Sequence, residues 1–364
     1  MSSKPPGPEL TQVDHLHVLE KGRRLLYFGG CDYFRLAWNA QVRRAVRQAT
    51  IGQPVTVAAS RTTTGNHPLY GRLEKVLARF FGEQTATLAS SGYATTWALS
   101  QALAGEFTHV LIDEKAHQSL VDAVGSWKGT VRRFRHADPD HAGALARRWP
   151  SGAKPILVTD GMFAHDGSMA PLQAYRSVLP GKTWIWVDDA HAAGLMGGRG
   201  RGTPEWDELH RKRLIQSFSL SKAFGTYGGA ILGDRSVREK LRRRAAVLAG
   251  NTPLPLPLAA GALEAIHQLE THPEWRQKLA SKTVWLKRQL RGLDWPCLNT
   301  PGPIVSWIPQ GNPQRLIRRL RDAGIYPSFI RYQGSEGYFR FAISSAHGHG
   351  HLKLLASVLR DAAR

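Results

Sequence analysis

Short apolar runs alternate with longer amphipathic stretches through the middle of the chain, and each run stops at polar residues. Stretches with helical spacing lie between these runs, at 92–103, 117–127 and 139–149. The runs that we predict to be buried strands are 85–89, 110–113, 155–159, 184–187 and 214–220, with an edge strand of alternating apolar and basic residues at 131–136. This alternation indicates an α/β fold with a mostly parallel central sheet and helices on both faces.

The pattern changes after residue 250, where the Pro-rich segment 251–257 interrupts it. A long helical pattern follows through Leu293, and a last helix is expected from His351. Between them the spacing predicts a strand at 304–308, a helix at 314–323 and a strand at 338–344. We therefore predict an N-terminal segment (1–45), a large domain (46–250) and a small C-terminal α+β domain (251–364).

Composition is that of a globular protein. The chain has 364 residues, of which 42% are hydrophobic and 21% charged, so disordered, collagen-like and coiled-coil classes are excluded. The two cysteines, Cys31 and Cys297, are too few for a disulfide framework or a cysteine-based zinc site. The N-terminus lacks an apolar signal-peptide region and the chain lacks an apolar membrane span, so we expect a cytoplasmic protein.

The chain is strongly basic: 49 Lys and Arg against 28 Asp and Glu give a net charge of +21. Such a surface can attract nucleic acid, anionic lipid or acidic small molecules. The clusters at 238–244 and 315–321 fit the solvated faces of helices, and the Gly- and Arg-rich stretch 197–202 fits a tight loop. We expect no nucleic-acid partner, whereas an acyl-coenzyme A or an acidic carrier protein would suit the charge.

Three histidines, His347, His349 and His351, have alternate spacing near the C-terminal end. Neither a carboxylate nor a cysteine is grouped with them, so we interpret them as the solvated start of a helix. No metal site is predicted.

Polar residues that follow the apolar runs are the candidates for chemistry, because ligands of open α/β sheets gather at the carboxyl ends of strands. Asp188 and His191 follow one run and precede a glycine-rich stretch, and Lys222 follows another. A desolvated lysine has a lowered pKa and can form a Schiff base with a carbonyl compound. A buried carboxylate can keep a pyridinium nitrogen protonated, which makes the ring an electron sink.

The chain resembles the α-oxoamine synthases, which are fold-type I (aspartate aminotransferase-like) pyridoxal-phosphate enzymes and include 8-amino-7-oxononanoate synthase and 2-amino-3-ketobutyrate ligase. The resemblance runs from about Phe28 to the C-terminal end. It rests on Asp188-Asp-Ala-His191, Ser219-Leu-Ser-Lys222-Ala-Phe-Gly, Thr159-Asp-Gly-Met-Phe-Ala-His-Asp-Gly167, and Ser60-Arg61 with Gly65-Asn-His67. It implies a transferase that uses pyridoxal 5'-phosphate.

The resemblance also implies roles for individual residues. Lys222 would hold the cofactor and move protons, Asp188 would pair with the pyridine nitrogen, and His191 would bond the phenolic oxygen. His117 would stack on the ring, and Arg340 would hold the amino-acid carboxylate. The remaining expected cofactor contacts are Ser91, Gly92, Tyr93, Asp160, Ser219 and, from the neighbouring subunit of a homodimer, Thr252.

The chain departs from the family pattern at three places, one of which is Val57-Ala-Ala-Ser60-Arg61, with alanines where glycines are usual. Cys31 replaces an asparagine that helps to hold the substrate carboxylate in most members, and Ala164 replaces a serine near the ring oxygen. Cys31 remains a candidate substrate contact, but the identity of the amino acid is left open.

We predict the condensation of an amino acid with an acyl thioester, with loss of CO2, to give an α-amino ketone. The alternatives are another fold-type I enzyme, such as an aminotransferase or aldolase, and a non-catalytic basic binding subunit. The presence of Lys222 argues against an inactive subunit.

Overall fold

The computed structural model describes residues 7–309, 311–331 and 337–363. Residues 1–6, on which part of the expectation about a signal peptide rests, lie outside these ranges. Within them, no helix combines the length and the apolar character needed to cross a membrane.

The N-terminal part forms a small antiparallel sheet followed by two helices. Its elements are β1 (Thr11–Gln12), β2 (His17–Glu20), β3 (Arg23–Leu26), α1 (Ala40–Gly52) and α2 (Pro68–Phe81). Asn39 caps α1 by accepting the amide N–H groups of Gln41 and Val42. Gly82, in the left-handed conformation (φ 68°), ends α2.

A central sheet of seven strands, with helices packed on it, forms the middle of the chain. Its elements in chain order are β4 (Thr85–Ala89), α3 (Gly92–Leu103), β5 (His109–Asp113), α4 (Gln118–Gly125), β6 (Thr130–Phe134), α5 (Pro139–Ala146), β7 (Pro155–Asp160), α6 (Leu172–Val178), β8 (Trp184–Asp188), α7 (Thr203–Trp206), β9 (Leu214–Ser219), β10 (Gly229–Gly233), α8 (Arg235–Arg244) and α9 (Ala246–Ala249). The spatial order is β4-β10-β9-β8-β7-β5-β6.

The mostly parallel sheet is confirmed, because β5 to β9 all pair in parallel and β6 lies at an edge as predicted. The exception is β10, which is antiparallel to both β4 and β9. The sequence pattern missed β10 because only three apolar residues stand between its terminal glycines, Gly229 and Gly233.

The C-terminal part carries two long helices and a three-stranded antiparallel sheet of order β11-β13-β12. Its elements are α10 (Leu256–Thr271), α11 (Glu274–Gln289), β11 (Ile304–Trp307), α12 (Gln314–Asp322), β12 (Phe329–Ile330), β13 (Tyr338–Ala342) and α13 (His349–Ala363). The prediction of one helical stretch through Leu293 was wrong. Pro273 separates two helices, because proline has no N–H to continue the hydrogen-bond ladder.

The N-terminal and C-terminal parts share one apolar core. This core contains Phe28 and Tyr33, side chains of α2 and α10, and side chains of β13 and α13. The amide N–H of Leu26 at the end of β3 donates to Gly324 O at 2.7 Å. Residues from the predicted N-terminal segment therefore pack against the C-terminal region, and the domain boundaries stay a prediction.

Candidate active site

Lys222 lies three residues after the end of β9, in a turn closed by a hydrogen bond from Gly225 N–H to Lys222 O of 2.9 Å. Its side chain is half-buried. Burial lowers the pKa of the Lys222 amine, and the negative charges of Asp188 and Asp160 partly oppose this effect. The amine therefore lies within electrostatic range of the two carboxyl groups at the ends of β7 and β8.

Asp188 and Asp160 are two buried carboxyl groups at the ends of adjacent parallel strands, where they are partners in register. The Ala190 amide donates to Asp188 at 3.0 Å, and the His117 amide donates to Asp160 at 2.8 Å. Burial raises the pKa of both groups, and the charge of Asp188 raises that of Asp160 further. Two adjacent buried carboxyls favour one protonated and one ionised member, and we infer that Asp160 holds the proton.

His191 is buried, and its Nδ1 lies 2.9 Å from the hydroxyl of Tyr33. Burial and the positive charges of Lys222 and Arg340 hold the pKa of His191 well below its usual range. The imidazole is therefore neutral, and Tyr33 fixes its orientation. Tyr33 was not among the predicted site residues, although it lies only two positions after Cys31, a predicted substrate contact.

His117 precedes α4 and caps it, since its Nδ1 accepts the Ser119 amide at 3.3 Å. His117 is partly exposed. Partial burial and the charge of Lys222 lower the pKa of His117, whereas the nearby Asp188 raises it. His117 therefore lies within electrostatic range of both Asp188 and Lys222.

The start of α3 at Gly92 has the geometry predicted for the phosphate site, which we call the anion cradle. Ser91 caps this helix by accepting the Ala94 amide at 3.1 Å. A Cβ at Gly92 would lie 2.7 Å from the Cβ of Ser219, so only glycine lets these two segments approach. The first amides of α3, including that of Tyr93, and the Ser219 hydroxyl can thus receive a phosphate together.

Arg340, in β13, reaches back to the same region. Its guanidinium donates to Ala164 O at 3.3 Å and lies 3.8 Å from the Sγ of Cys31. Both Cys31 and Arg340 act electrostatically on Lys222. The structure thus brings the predicted substrate contacts to the predicted cofactor lysine.

The profile of the family described as aminotransferase class I and II matches residues 33–359. The chain is 31% identical to the 8-amino-7-oxononanoate synthase of Acidithiobacillus ferrooxidans, over 98% of this chain and 92% of that protein. The chain belongs to the α-oxoamine synthases of the aminotransferase class I and II family.

A second relative, the 8-amino-7-oxononanoate synthase of Methylocella silvestris, is 33% identical over 95% of this chain and 99% of its own length. The solved structure of Sphingomonas wittichii serine palmitoyltransferase has the same fold, with a TM-score of 0.90 at 24% identity over 97% of this chain and 90% of that one. The predicted fold, the enzyme class and the cofactor, pyridoxal 5'-phosphate, are confirmed by this family membership.

The site of this α-oxoamine synthase fits that cofactor. Pyridoxal phosphate needs an amine for its aldehyde, an anion cradle for its phosphate and a carboxylate for its ring nitrogen. Lys222, the Gly92–Ser219 contact and Asp188 offer these groups on neighbouring strand ends. The roles of the individual residues stay predictions.

Asp189, next to Asp188, has a different environment. Its buried carboxylate accepts hydrogen bonds from the Thr203 amide (2.9 Å), the Thr203 hydroxyl (2.5 Å) and Gln216 Nε2 (2.6 Å). Burial raises its pKa to about 6. A Cβ at Gly202 would overlap this carboxylate, so the Gly- and Arg-rich stretch forms a tight loop, as predicted.

Two predicted features lie away from this cluster. Thr252 is exposed beside Asn251, which donates to the Ser90 hydroxyl at 2.7 Å, and its role across a subunit interface stays a prediction. The prediction of solvated histidines was wrong for His347. That ring is fully buried and stacks on Phe28 with 4.1 Å between ring centroids. Its Nδ1 accepts the Ser344 amide, so the buried nitrogen keeps a hydrogen-bond partner.

Proposed function

We propose that this enzyme condenses a small amino acid with an acyl thioester, releasing CO2 and the thiol and forming an α-amino ketone. The observation that carries the proposal is the convergence of Arg340, Cys31 and Lys222 in front of Asp188. This arrangement offers one group for a carboxylate and one amine for proton transfer at the adjacent carbon. The curated relatives support the same reaction class.

The product named by these relatives suggests the substrates. In 8-amino-7-oxononanoate the amino group is on the carbon next to the terminal methyl group, and the ketone is on the carbon before it. Alanine that has lost its carboxylate would supply the last two carbons. A seven-carbon dicarboxylic acyl thioester would supply the rest, and we propose this pair as the first to test.

Arg340 would bind the carboxylate of the amino acid. A guanidinium can form two parallel hydrogen bonds to a carboxylate, which an ammonium cannot. The carbonyl of Ala164 holds the guanidinium from one side, and Cys31 lies beside it. Binding the carboxylate in this way would orient the Cα–H bond toward Lys222.

Lys222 would hold the cofactor through its Nζ and later accept and return the Cα proton. Because its pKa is lowered by burial, a larger fraction of the amine is neutral at physiological pH than in an exposed lysine. The bound cofactor supplies an electron sink for the negative charge that forms at Cα. The ionised Asp188 would keep the ring nitrogen protonated, while Tyr33 would hold His191 in the orientation that reaches the ring oxygen.

We further propose a homodimeric, cytoplasmic enzyme in which Thr252 of each subunit contributes to the site of the other. The exposure of Thr252 is consistent with this arrangement. Multi-angle light scattering of the purified protein would measure its mass, and a monomer at assay concentration would exclude the shared site.

Product analysis tests the proposed reaction. The holoenzyme is incubated with alanine and a seven-carbon dicarboxylic acyl-coenzyme A, and free thiol, CO2 and ketone mass are measured. We expect thiol and CO2 in equal amounts. Formation of a keto acid without thiol release would instead identify an aminotransferase. Glycine, serine and shorter acyl thioesters define the specificity in the same assay.

A further inference from the structure

Two histidines and one aspartate that have no predicted role toward the cofactor form a cluster in the loops that follow β6 and β7. Ligand atoms of His136, His165 and Asp166 all lie within 4.8 Å of one another, and all three residues are half-buried. Among the residues that the structure describes, this is the one group of three such side chains close enough to hold a metal ion. The cluster unites residues that are 29 positions apart, which explains why the sequence pattern did not reveal it.

The distance between His165 Nε2 and Asp166 Oδ2 suits two ligands of one ion, and it also lies within the range of an ion pair. His165 Nε2 is buried and makes no hydrogen bond in the described part of the chain, although Asp166 Oδ2 lies 3.2 Å away. Zinc–ligand bonds of about 2.0–2.1 Å place neighbouring ligands of a tetrahedral site roughly 3.3 Å apart. The pair therefore needs little movement to bind one ion.

Asp113 orients the second histidine. This carboxylate is fully buried, accepts the amides of Lys115 (2.8 Å) and Ala137 (2.9 Å), and lies 3.1 Å from Nδ1 of His136. A carboxylate at Nδ1 places the imidazole proton on that nitrogen and leaves Nε2 as an acceptor. Metal-bound histidines usually donate their second ring N–H to a carboxylate in this way. The Nε2 of His136 lies 3.3 Å from the Ser168 hydroxyl, on the side of Asp166.

An ion can reach the cluster from the surface. His165 and Asp166 line an open cavity of about 700 Å³, together with Lys115, Trp295 and Arg315. The two cationic side chains of this cavity oppose a cation, so the affinity must come from coordination rather than from the general electrostatic field. Two imidazoles and one carboxylate are a ligand set for first-row transition metals, whereas Mg²⁺ prefers oxygen ligands.

We propose that His136, His165 and Asp166 bind one divalent transition-metal ion, with Asp113 as a positioning residue and water in the remaining coordination position. The proposal does not depend on the reaction that the enzyme catalyses. Zn²⁺ is the probe for affinity, and Co²⁺ is the probe for geometry.

Calorimetric titration of chelator-treated holoenzyme with Zn²⁺ tests the proposal. We expect one equivalent to bind, no heat of binding with Mg²⁺, and at least about a tenfold loss of affinity in His165→Ala and in Asp166→Asn. His272→Ala is the matched control: His272 Nδ1 also lies 3.2 Å from a carboxylate, that of Glu274, but has no third ligand among the described residues. It should bind Zn²⁺ like the parent protein.

Co²⁺ spectra separate this site from the two thiols. We expect visible d–d bands and no thiolate charge-transfer band. The d–d bands should be lost in His136→Gln and kept in Cys31→Ser. Circular dichroism checks that each variant is folded. If His165→Ala does not fold, His165→Gln is used in its place. Unchanged Zn²⁺ affinity in folded His165→Ala or Gln, or a thiolate band that disappears in Cys31→Ser, would overturn the proposal.

Discussion

At the scale of single residues, the two adjacent aspartates at the end of β8 have opposite surroundings. Asp188 faces the lysine and lies beside another carboxyl group, whereas Asp189 faces away and is held by three neutral donors. The first environment suits a group that must act on a bound ring. The second suits a group that holds the glycine-rich loop in place.

Replacing Lys222 with alanine should abolish turnover and the visible absorbance of the bound cofactor. The reason is that the side chain is proposed both to hold the cofactor and to move the Cα proton, and proton transfer alone contributes about 10²–10⁴-fold. Steady-state rates and an absorption spectrum check this. Lys278→Ala, at an exposed position of α11, is the control, and a fully active Lys222→Ala would show the assignment to be wrong.

Asp188→Asn should keep the cofactor bound but lower kcat by about 10²–10³-fold, because a neutral amide cannot hold the ring nitrogen protonated. Cofactor content measured after dialysis separates binding from chemistry. Near-parental rates would mean that another group controls the ring nitrogen.

Asp189 predicts a pH dependence of stability. Its folded-state pKa of about 6 lies above the ordinary value of 3.8, so between these values the folded protein binds more protons than the unfolded chain. The contribution of this group to the free energy of unfolding therefore falls as pH rises from about 4 to about 6, by up to about 3 kcal/mol. Asp189→Asn does not titrate, so its stability relative to the parent protein should improve over this range. Urea unfolding at both pH values measures the difference, and a constant difference would contradict the prediction.

At the scale of elements, the start of α3 depends on one close approach. In Gly92→Ala the new Cβ would meet the Cβ of Ser219 at 2.7 Å, so α3 and the end of β9 must separate. We expect at least about a tenfold weaker affinity for pyridoxal phosphate, because the amides and the hydroxyl would no longer converge. Gly71→Ala, inside α2 with open space around it, should instead stabilise the protein by about 0.5–1 kcal/mol and leave cofactor binding unchanged. Equal cofactor affinities in the two variants would refute this account of the cradle.

The strands that the sequence predicted well are those buried on both faces. β7 and β8 read as continuous apolar runs that stop at Asp160 and Asp188, and the structure ends them there. β1 to β3 were missed because they are only two to four residues long, and because β3 begins with two arginines, Arg23 and Arg24. The three strands pair with one another along the chain, and Leu26 at the end of β3 also contacts Gly324 and Ile325, which no local pattern contains.

At the candidate site, too, local sequence patterns could not predict contacts between distant parts of the chain. Polar residues at strand ends could be predicted to meet, because parallel strands bring their carboxyl ends to one edge of the sheet. The contact of Tyr33 with His191 joins positions 158 residues apart and follows from the packing of the N-terminal segment, so spacing could not predict it. The burial of His347 depends in the same way on the distant Phe28.

At the scale of the whole molecule, the net charge of +21 should act on the acidic acyl thioester more than on the amino acid. Raising the ionic strength from about 0.1 M to about 1 M shortens the Debye length from about 10 Å to about 3 Å. We expect the KM for an acyl-coenzyme A to rise several-fold, whereas the KM for alanine, which is electrically neutral overall, should change little. Initial rates at both salt concentrations test this, and equal shifts of the two constants would point to a general effect of salt on the enzyme.

The antiparallel position of β10 has a consequence for synthesis on the ribosome. Within the central sheet β4 pairs with β10 alone, yet residues 85–89 are translated long before residues 229–233. At about 5–20 residues per second the nascent chain carries β4 without its partner for on the order of ten seconds. The contact between Gly92 and Ser219 also has to wait until Ser219 is translated, so the proposed phosphate cradle for the vitamin-derived cofactor would form only late in translation.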